Sequence, residues 1–276
     1  MLTKASRRRL NAAAGASDPA IPYRLAESLG PGQLRAAFYQ GTRRERLVAL
    51  DAAAECRNTP FWLASSLVAL MGAEDRQVSS LAARAVDAIV RRADGHPEGY
   101  REVVPGQALQ LISQLMPLAQ DRRLDTDIRI IAMAVIRSLS VVAETTEPAW
   151  PVPLLSDTEV VVRRQAVGDL TPPFSDEILA KLAGLVVNDM DLVVKGYAAG
   201  LLCENALAHG VRDPSADLTE YLKTTLQTPG MPVTAMGGIL ACLSQFDGKN
   251  RTALVEIAIA HPDPAVKRLW STLSRK

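Results

Sequence analysis

The side chains that most often carry chemistry are sparse and far apart in this chain. The three histidines, His96, His209 and His261, fall in the segments DGHPEG, LAHGVRD and AHPDP, which are typical of loops. No two of them lie four residues apart on one helix, so the sequence excludes a helical HExxH metal site. The three cysteines are widely separated and form no CxxC pair, which favours buried reduced thiols over a disulfide framework or a zinc site.

Motifs for nucleophilic or phosphate chemistry are missing as well. The chain has no GxSxG elbow, no GxxxxGK[ST] loop and no GxGxxG turn. Asp189 and Asp191 resemble a carboxylate dyad, but a position at the start of a helix explains them as capping residues. Gly237 and Gly238 in AMGGIL allow a helix to approach a ligand closely, and close packing of two helices is the simpler explanation. We therefore expect no enzyme, no metal and no cofactor.

Helical periodicity extends from about Leu25 to the end of the chain. Apolar residues recur at intervals of three and four residues, and the connecting segments are short and carry Pro, Gly, Asp or Asn. Aromatic residues make up only 4% of the chain against 48% hydrophobic residues, a balance that suits closely packed helices better than a β-sandwich. The sequence predicts an all-α protein with a flexible leader over residues 1–22 and a single domain over 23–276.

One short pattern recurs along this helical chain. An acidic residue is followed three residues later by a branched apolar residue, then by a cation, and then by small residues at helical spacing. The pattern is clearest in DTDIRIIAMAVI, DTEVVVRRQAVGDL, DMDLVVKGYAAGLL and HPDPAVKRLWSTL. Its acids and cations are Asp125 and Arg129, Glu159 and Arg163, Asp191 and Lys195, and Asp263 and Lys267. A weaker copy, DRQVSSLAARAV, begins at Asp75 and has Ser79 in the place of the cation.

The spacing of the copies indicates helix pairs. From Asp75 to Asp191 the successive copies lie 32 to 50 residues apart, within the range of helix-pair repeats. Each pair can bury its apolar face only against a neighbouring pair. We expect the acids to cap the second helix of each pair. We expect small residues such as Ala132, Ala166 and Ala198 to let the helices pack closely.

These stretches resemble the second helices of HEAT-repeat proteins, in which Asp, one or two spacers and Val-Arg precede Ala and Leu at helical spacing. The resemblance extends over about 30–276 and is sharpest in 121–276. It implies a right-handed, armadillo-like α-solenoid of about six to seven helix pairs. It also implies a ladder of acids and cations between adjacent pairs, made of the eight charged residues of the four clear copies. By the same resemblance the protein is a non-enzymatic scaffold that binds a partner protein along the curved face of the second helices.

Four residues are candidates for contact with that partner: Trp150, Arg164, Tyr197 and Arg268. Aromatic residues and arginine dominate binding hot spots. Tyr197 lies in KGYAAG, where the other copies have Gln165 or Leu269 and Trp270 nearby, and Trp150 lies in the Pro-rich link EPAWPVP. Both aromatic residues are equally compatible with a place in the core or against a loop.

Nucleic-acid binding is the alternative function. Arginine doublets recur at 43/44, 91/92, 122/123 and 163/164, and on one face they would follow phosphates, as in the HEAT-like alkylpurine DNA glycosylases. The net charge of only +1 and the acids beside most doublets argue against this alternative, and the spacing of Trp62, Trp150 and Trp270 does not place them together. A bilin lyase of the HEAT-like type is a third possibility, which rests on the shared repeat alone.

The sequence also bears on the cellular compartment. No apolar run approaches the roughly 18 residues of a membrane span. The basic segment at the N-terminus lacks the apolar stretch of a secretory signal. We therefore expect a cytoplasmic protein without a membrane span, and an exported form whose signal has been removed would look the same.

Overall fold

A computed structural model describes residues 1–14, 21–55, 59–95, 103–143 and 150–274. Within these ranges the chain forms fourteen α-helices and one 3₁₀ helix, and no strand. The prediction of an all-α protein is confirmed. The chain divides into two compact units, Met1–Glu147 (unit 1) and Pro148–Lys276 (unit 2), and the division falls in the Pro-rich link. The single domain over 23–276 stays a prediction.

Unit 1 consists of three helix hairpins preceded by a short helix. Its helices are α1 (Lys4–Ala13), α2 (Ile21–Gln40), α3 (Arg43–Glu55), α4 (Trp62–Met71), α5 (Arg76–Gly95), α6 (Pro105–Gln120) and α7 (Thr126–Val142). The hairpins are α2 with α3, α4 with α5, and α6 with α7. The first helices contact one another in the order α2, α4, α6, and the second helices in the order α3, α5, α7. Unit 1 therefore has a layer of first helices and a layer of second helices.

Unit 2 repeats this arrangement. It contains a 3₁₀ helix (Val152–Ser156), α8 (Val160–Gly168), α9 (Asp176–Asn188), α10 (Leu192–Ala208), α11 (Ala216–Gln227), α12 (Val233–Leu243), α13 (Lys249–Ala260) and α14 (Pro264–Leu273). The first helices α9, α11 and α13 form one layer, and the second helices α8, α10, α12 and α14 form the other. All four clear copies of the sequence pattern, and the weaker copy at Asp75, start second helices.

Small residues allow the second helices to pack closely. The predicted residues Ala132, Ala166 and Ala198 are fully buried. Helix α10 approaches α12 so closely at Gly196 that an added Cβ would lie 2.6 Å from the Cβ of Ala235. Four residues along, a Cβ added to Gly200 would lie 3.6 Å from the Cα of Gly238. Gly238 of the AMGGIL segment therefore serves helix packing.

Helix α1 lies within residues 1–22, the segment that the sequence predicts to be a flexible leader. Thr3 caps the helix, and its fully buried residue Leu10 faces α2 and α3. Arg7 forms an ion pair of 3.0 Å with Glu45, a carboxylate that is only 1% exposed and that also accepts a hydrogen bond from Asn11. One buried leucine and several polar contacts hold the segment in place, so it needs no long apolar period.

Candidate functional site

Four second helices begin with an aspartate that caps its own helix. The Oδ1 atoms accept backbone N–H groups at 3.0 Å for Asp75, 3.1 Å for Asp125, 3.0 Å for Asp191 and 2.7 Å for Asp263. A carboxylate at this position satisfies free amides and faces the positive end of the helix dipole. Helix α8 differs, because the side chain of Glu159 makes no capping hydrogen bond.

The caps of three second helices are also bound by an arginine from the preceding second helix. Arg43 is the first residue of α3 and binds Asp75, and Arg76 is the first residue of α5 and binds Asp125. In unit 2, Arg164 on α8 binds both carboxylate oxygens of Asp191, with 2.9 Å between Nε and Oδ1. We call these three pairs, Arg43–Asp75, Arg76–Asp125 and Arg164–Asp191, the capping ladder. Each pair connects two consecutive second helices of the same unit.

The cations of this ladder are not the ones expected from the repeat. Arg129 is buried and donates from Nε to the carbonyl of Ala119 at 2.9 Å, at the end of α6. Lys195 likewise donates to the carbonyl of Val187 at 3.0 Å, at the end of α9. In both cases the cation four residues after the cap binds the last carbonyls of the first helix of its own hairpin, where a positive charge is favourable.

The two remaining predicted cations also depart from the expected pairing. Arg163 binds both carboxylate oxygens of Asp189, with 2.7 Å between Nε and Oδ2. It also donates from Nη1 to the carbonyl of Asp157 at 2.9 Å. Lys267 is exposed on α14 and forms no ion pair within the described part of the chain. The cation at this position thus binds within its own hairpin in α7 and α10, whereas Arg163 of α8 also reaches Asp189 at the end of α9 in the next hairpin.

The arginines of the capping ladder lower the pKa values of the aspartates that they bind. A hydrogen bond from Arg43 is the main reason why the pKa of Asp75 is lowered, and one from Arg164 does the same for the pKa of Asp191. The pKa of Asp125 is lowered first by the backbone N–H of Asp127 and then by Arg76. Burial opposes ionisation of Asp189, but its contacts with Arg163 and with the backbone of Asp191 lower its pKa overall.

The candidate partner-binding residues differ in exposure. Trp150 is only 6% exposed and therefore has the buried position that the sequence left open beside the partner-binding one. Tyr197 on α10 is 36% exposed, and Arg164 lies on α8, the neighbouring second helix. The pKa of Arg164 is raised, chiefly by its hydrogen bond to Asp191 and to a smaller extent by Tyr197. Arg268 is exposed on α14.

A second aromatic surface in unit 1 was not identified from the sequence. Trp62 on α4 is 44% exposed and lies 6.0 Å from the guanidinium of Arg35 on α2, a cation–π distance. On the same pair of helices, the Tyr39 hydroxyl donates to the carbonyl of Ser66. Residues 35 and 39 are four apart on one helix, and this spacing alone would have placed them on one face.

The arginine doublets are engaged within the protein. Each doublet contributes at least one arginine to an ion pair: Arg43–Asp75, Arg91–Asp87, Arg123–Asp121, Arg163–Asp189 and Arg164–Asp191. These pairs reduce the positive charge that each doublet can offer to phosphates.

Unit 2 also contains a cleft of about 840 Å³ between the turn that joins α11 to α12 and the turn that joins α13 to α14. Its walls are mainly apolar and include Leu226, Met231, Val233 and Ile257. His261 and Asp263 supply polar groups, and the backbone N–H of Asp263 donates to Nδ1 of His261 at 3.1 Å. The cleft therefore combines an apolar channel with one carboxylate.

The capping ladder is interrupted at this cleft. Helix α12 begins at Val233 after Pro232 and has no charged residue in its sequence VTAMGGILACL. Asp263, which caps the next second helix, consequently receives no arginine from α12, and it forms no ion pair with any residue that the structure describes. Val233 occupies the position of Arg43 and Arg76, because all three are the first residues of second helices.

The described ranges contain neither a cluster of metal ligands nor a helix able to cross a membrane. No group of three or more His, Cys, Asp or Glu residues in these ranges could hold a metal ion. None of the helices described has the length and apolar character needed to cross a membrane. In the comparisons, no protein-family model and no curated protein sequence matches this chain.

Proposed function

We propose that this protein is a non-enzymatic scaffold of the HEAT-repeat type, a right-handed α-solenoid of six to seven helix pairs that holds a partner protein on its second helices. The order of contacts in each unit supports the solenoid part of the proposal. Within each unit, first helices contact first helices and second helices contact second helices in chain order. This order is the one that stacked helix pairs require, since each pair contacts only its neighbours.

The observation that carries the binding function is the cluster of Arg164 and Tyr197 on adjacent second helices. Both are partly exposed at the surface and both belong to the residue types that dominate binding hot spots. The two-point contact with Asp191 holds the guanidinium of Arg164 in place. Less side-chain freedom is then lost on binding, which favours affinity. Val161, one turn before Arg164 on α8, adds exposed apolar surface.

Photo-crosslinking tests this function at the site itself. The photoreactive amino acid p-benzoylphenylalanine replaces Tyr197 in the host cell, and in a matched control it replaces Ile259, which is exposed on the first helix α13. We expect one protein adduct of defined mass at position 197, little or none at 259, and loss of the adduct when Arg164→Met is added. The captured protein, once purified, should bind the wild-type chain at least tenfold more tightly than Tyr197→Ala. Equal labelling at both positions, or no adduct at 197, contradicts the proposal.

A further inference from the structure

We infer that the cleft of unit 2 binds an arginine side chain presented by the partner protein, in a short segment whose neighbouring residues are apolar. This inference rests on the proposed function, because it names the chemistry by which a scaffold of this kind recognises its partner. It concerns a different surface from the cluster of Arg164 and Tyr197.

The first argument is the interruption of the capping ladder. Asp75, Asp125 and Asp191 each cap a helix and each bind an arginine from the preceding second helix. Asp263 caps α14 in the same way, through Oδ1 and the backbone N–H of Ala265, but α12 has no cation to offer. The other three capping aspartates bind an arginine of the same chain. The carboxylate of Asp263 binds none among the residues that the structure describes, so it is available to a cation of another molecule.

The second argument is the position of the open space. Val233 is the first residue of α12, the place that Arg43 and Arg76 have in α3 and α5, whereas Arg164 is the fifth residue of α8. Both Val233 and Asp263 line the cleft. In the register of the two pairs of unit 1, the place from which an arginine of α12 would reach the cap is thus part of the cleft wall. An incoming arginine can enter here and make the contact that α12 does not make.

The third argument is the chemistry of the walls. The aliphatic part of an arginine side chain packs well on apolar surface while its head group stays polar. Leu226, Met231 and Ile257 provide such a surface, and the planar guanidinium matches a carboxylate better than a lysine ammonium does. The volume of about 840 Å³ admits more than one side chain, which is why we assign a segment with apolar neighbours.

A pair of peptides tests the charge requirement. The probes are acetyl-Leu-Arg-Leu-amide and the same peptide with citrulline, which keeps the shape of arginine without its charge. We expect the arginine peptide to shift the NMR signals of Met231, Val233 and Ala265 in the isotopically labelled full chain, and to bind at least fivefold more tightly than the citrulline peptide. Equal binding of the two peptides, or shifts confined to other residues, overturns the inference.

Two substitutions locate the effect at Asp263. Asp263→Asn keeps the cap, because asparagine caps helices about as well as aspartate, but it removes the charge. We expect it to lower the affinity for the arginine peptide to that for the citrulline peptide, while the matched change Asp191→Asn leaves peptide binding unaltered. If Asp263→Asn binds the arginine peptide as the wild type does, the inference is wrong.

Val233→Arg supplies the missing arginine within the chain. We expect it to block the peptide and to raise the Tm by about 1–3 °C, and to give no such rise in the Asp263→Asn background. If Val233→Arg folds and leaves peptide binding unchanged, the inference is overturned. If Val233→Arg does not fold, the peptide affinity of Asp263→Asn tests the inference instead. Self-association of the wild type that Val233→Arg abolishes would identify a second copy as the occupant, which also overturns it.

The outcome for the cleft is separable from the outcome for the scaffold. If the adduct at position 197 forms and the peptide tests fail, the cleft inference falls and the proposed function stands. If the adduct does not form but the peptides behave as expected, the cleft binds arginine and the proposed partner surface is wrong.

Discussion

At the scale of single residues, an aspartate at the start of a second helix makes two kinds of contact. It accepts a backbone N–H of its own helix, and in three cases it also binds an arginine of the preceding second helix. The first contact stabilises the start of the helix, and the second connects it to the preceding second helix. A short pattern repeated along the chain therefore gives both helix starts and contacts between hairpins.

The pH dependence of Asp191 is the prediction at this scale. The pKa of Asp191 in the folded protein is lowered, mainly by the hydrogen bond from Arg164. The ionised side chain therefore stabilises the folded state fully above the ordinary aspartate pKa of 3.8, and this stabilisation is lost as the pH falls below that value. Asp191→Asn keeps the cap and removes the charge, and we expect it to cost about 0.5–1 kcal/mol at pH 6. The Tm difference from the wild type should shrink as the pH falls from 3.8 toward 2, because protonation of Asp191 removes the charge that asparagine lacks.

Thermal unfolding followed by circular dichroism between pH 6 and pH 2 measures this difference. Glu177→Gln is the control. The ion pair of Glu177 with Lys181 lies on the surface of a single helix and should contribute less to the stability of the fold. A Tm difference for Asp191→Asn that stays constant over this range shows that the ion pair with Arg164 does not stabilise the fold.

At the scale of helices, the closest approach is that of α10 and α12 at Gly196. Two substitutions of glycine by alanine in helix interiors distinguish packing from helix propensity. Gly196→Ala places a Cβ 2.8 Å from the carbonyl oxygen of Ala235, whereas a Cβ at Gly237 meets nothing within 4 Å. We expect Gly196→Ala to destabilise the protein by about 1–2 kcal/mol through overpacking, and Gly237→Ala to stabilise it by up to about 1 kcal/mol.

Urea unfolding of the two variants gives these free energies directly. Both substitutions bring the same gain in helix propensity, so the difference between them reports the contact alone. Stabilisation of similar size in both variants would mean that α10 and α12 lie further apart than described.

Helix α1 gives a second prediction at this scale. Leu10→Ala removes the one fully buried apolar residue of the helix, and we expect a loss of about 2–3 kcal/mol together with faster hydrogen exchange over residues 7–13. The exposed residue Arg8 provides the control, because Arg8→Ala should change neither quantity. Fast exchange over residues 7–13 in the wild type itself would support the flexible leader expected from the sequence.

The sequence predicts helices and caps well because these depend on neighbours in the chain. The starts of second helices at Asp125, Asp191 and Asp263 follow from capping chemistry alone. The partners of the charged residues could not be predicted in this way, since Arg43 and Arg76 reach acids 32 and 49 residues away. Burial of Trp150 and exposure of Trp62 depend equally on which helices pack together. The cleft could not be foreseen, because it arises where α12 departs from the repeated pattern.

At the scale of the whole molecule, the balance of charge decides which class of partner is favoured. The net charge is +1, and every arginine doublet contributes to an ion pair. We expect no binding to a fluorescent 20-base-pair DNA duplex at protein concentrations up to about 10 µM in 50 mM salt. Fluorescence anisotropy at 50 and 200 mM salt measures this. Binding at the lower salt concentration that is lost at the higher one would favour the nucleic-acid alternative.

The central claim is that successive second helices stack one after another, and electron–electron distance measurements in unit 2 test it most directly. Nitroxide labels on engineered cysteines at Thr158, Met190 and Pro262 mark the turns before α8, α10 and α14, in a background without the native cysteines. Stacking at about 10 Å per helix predicts roughly 20 Å between the labels at 190 and 262, and roughly 25–30 Å between those at 158 and 262. Equal distances for the two pairs would contradict the stacking of α8, α10, α12 and α14.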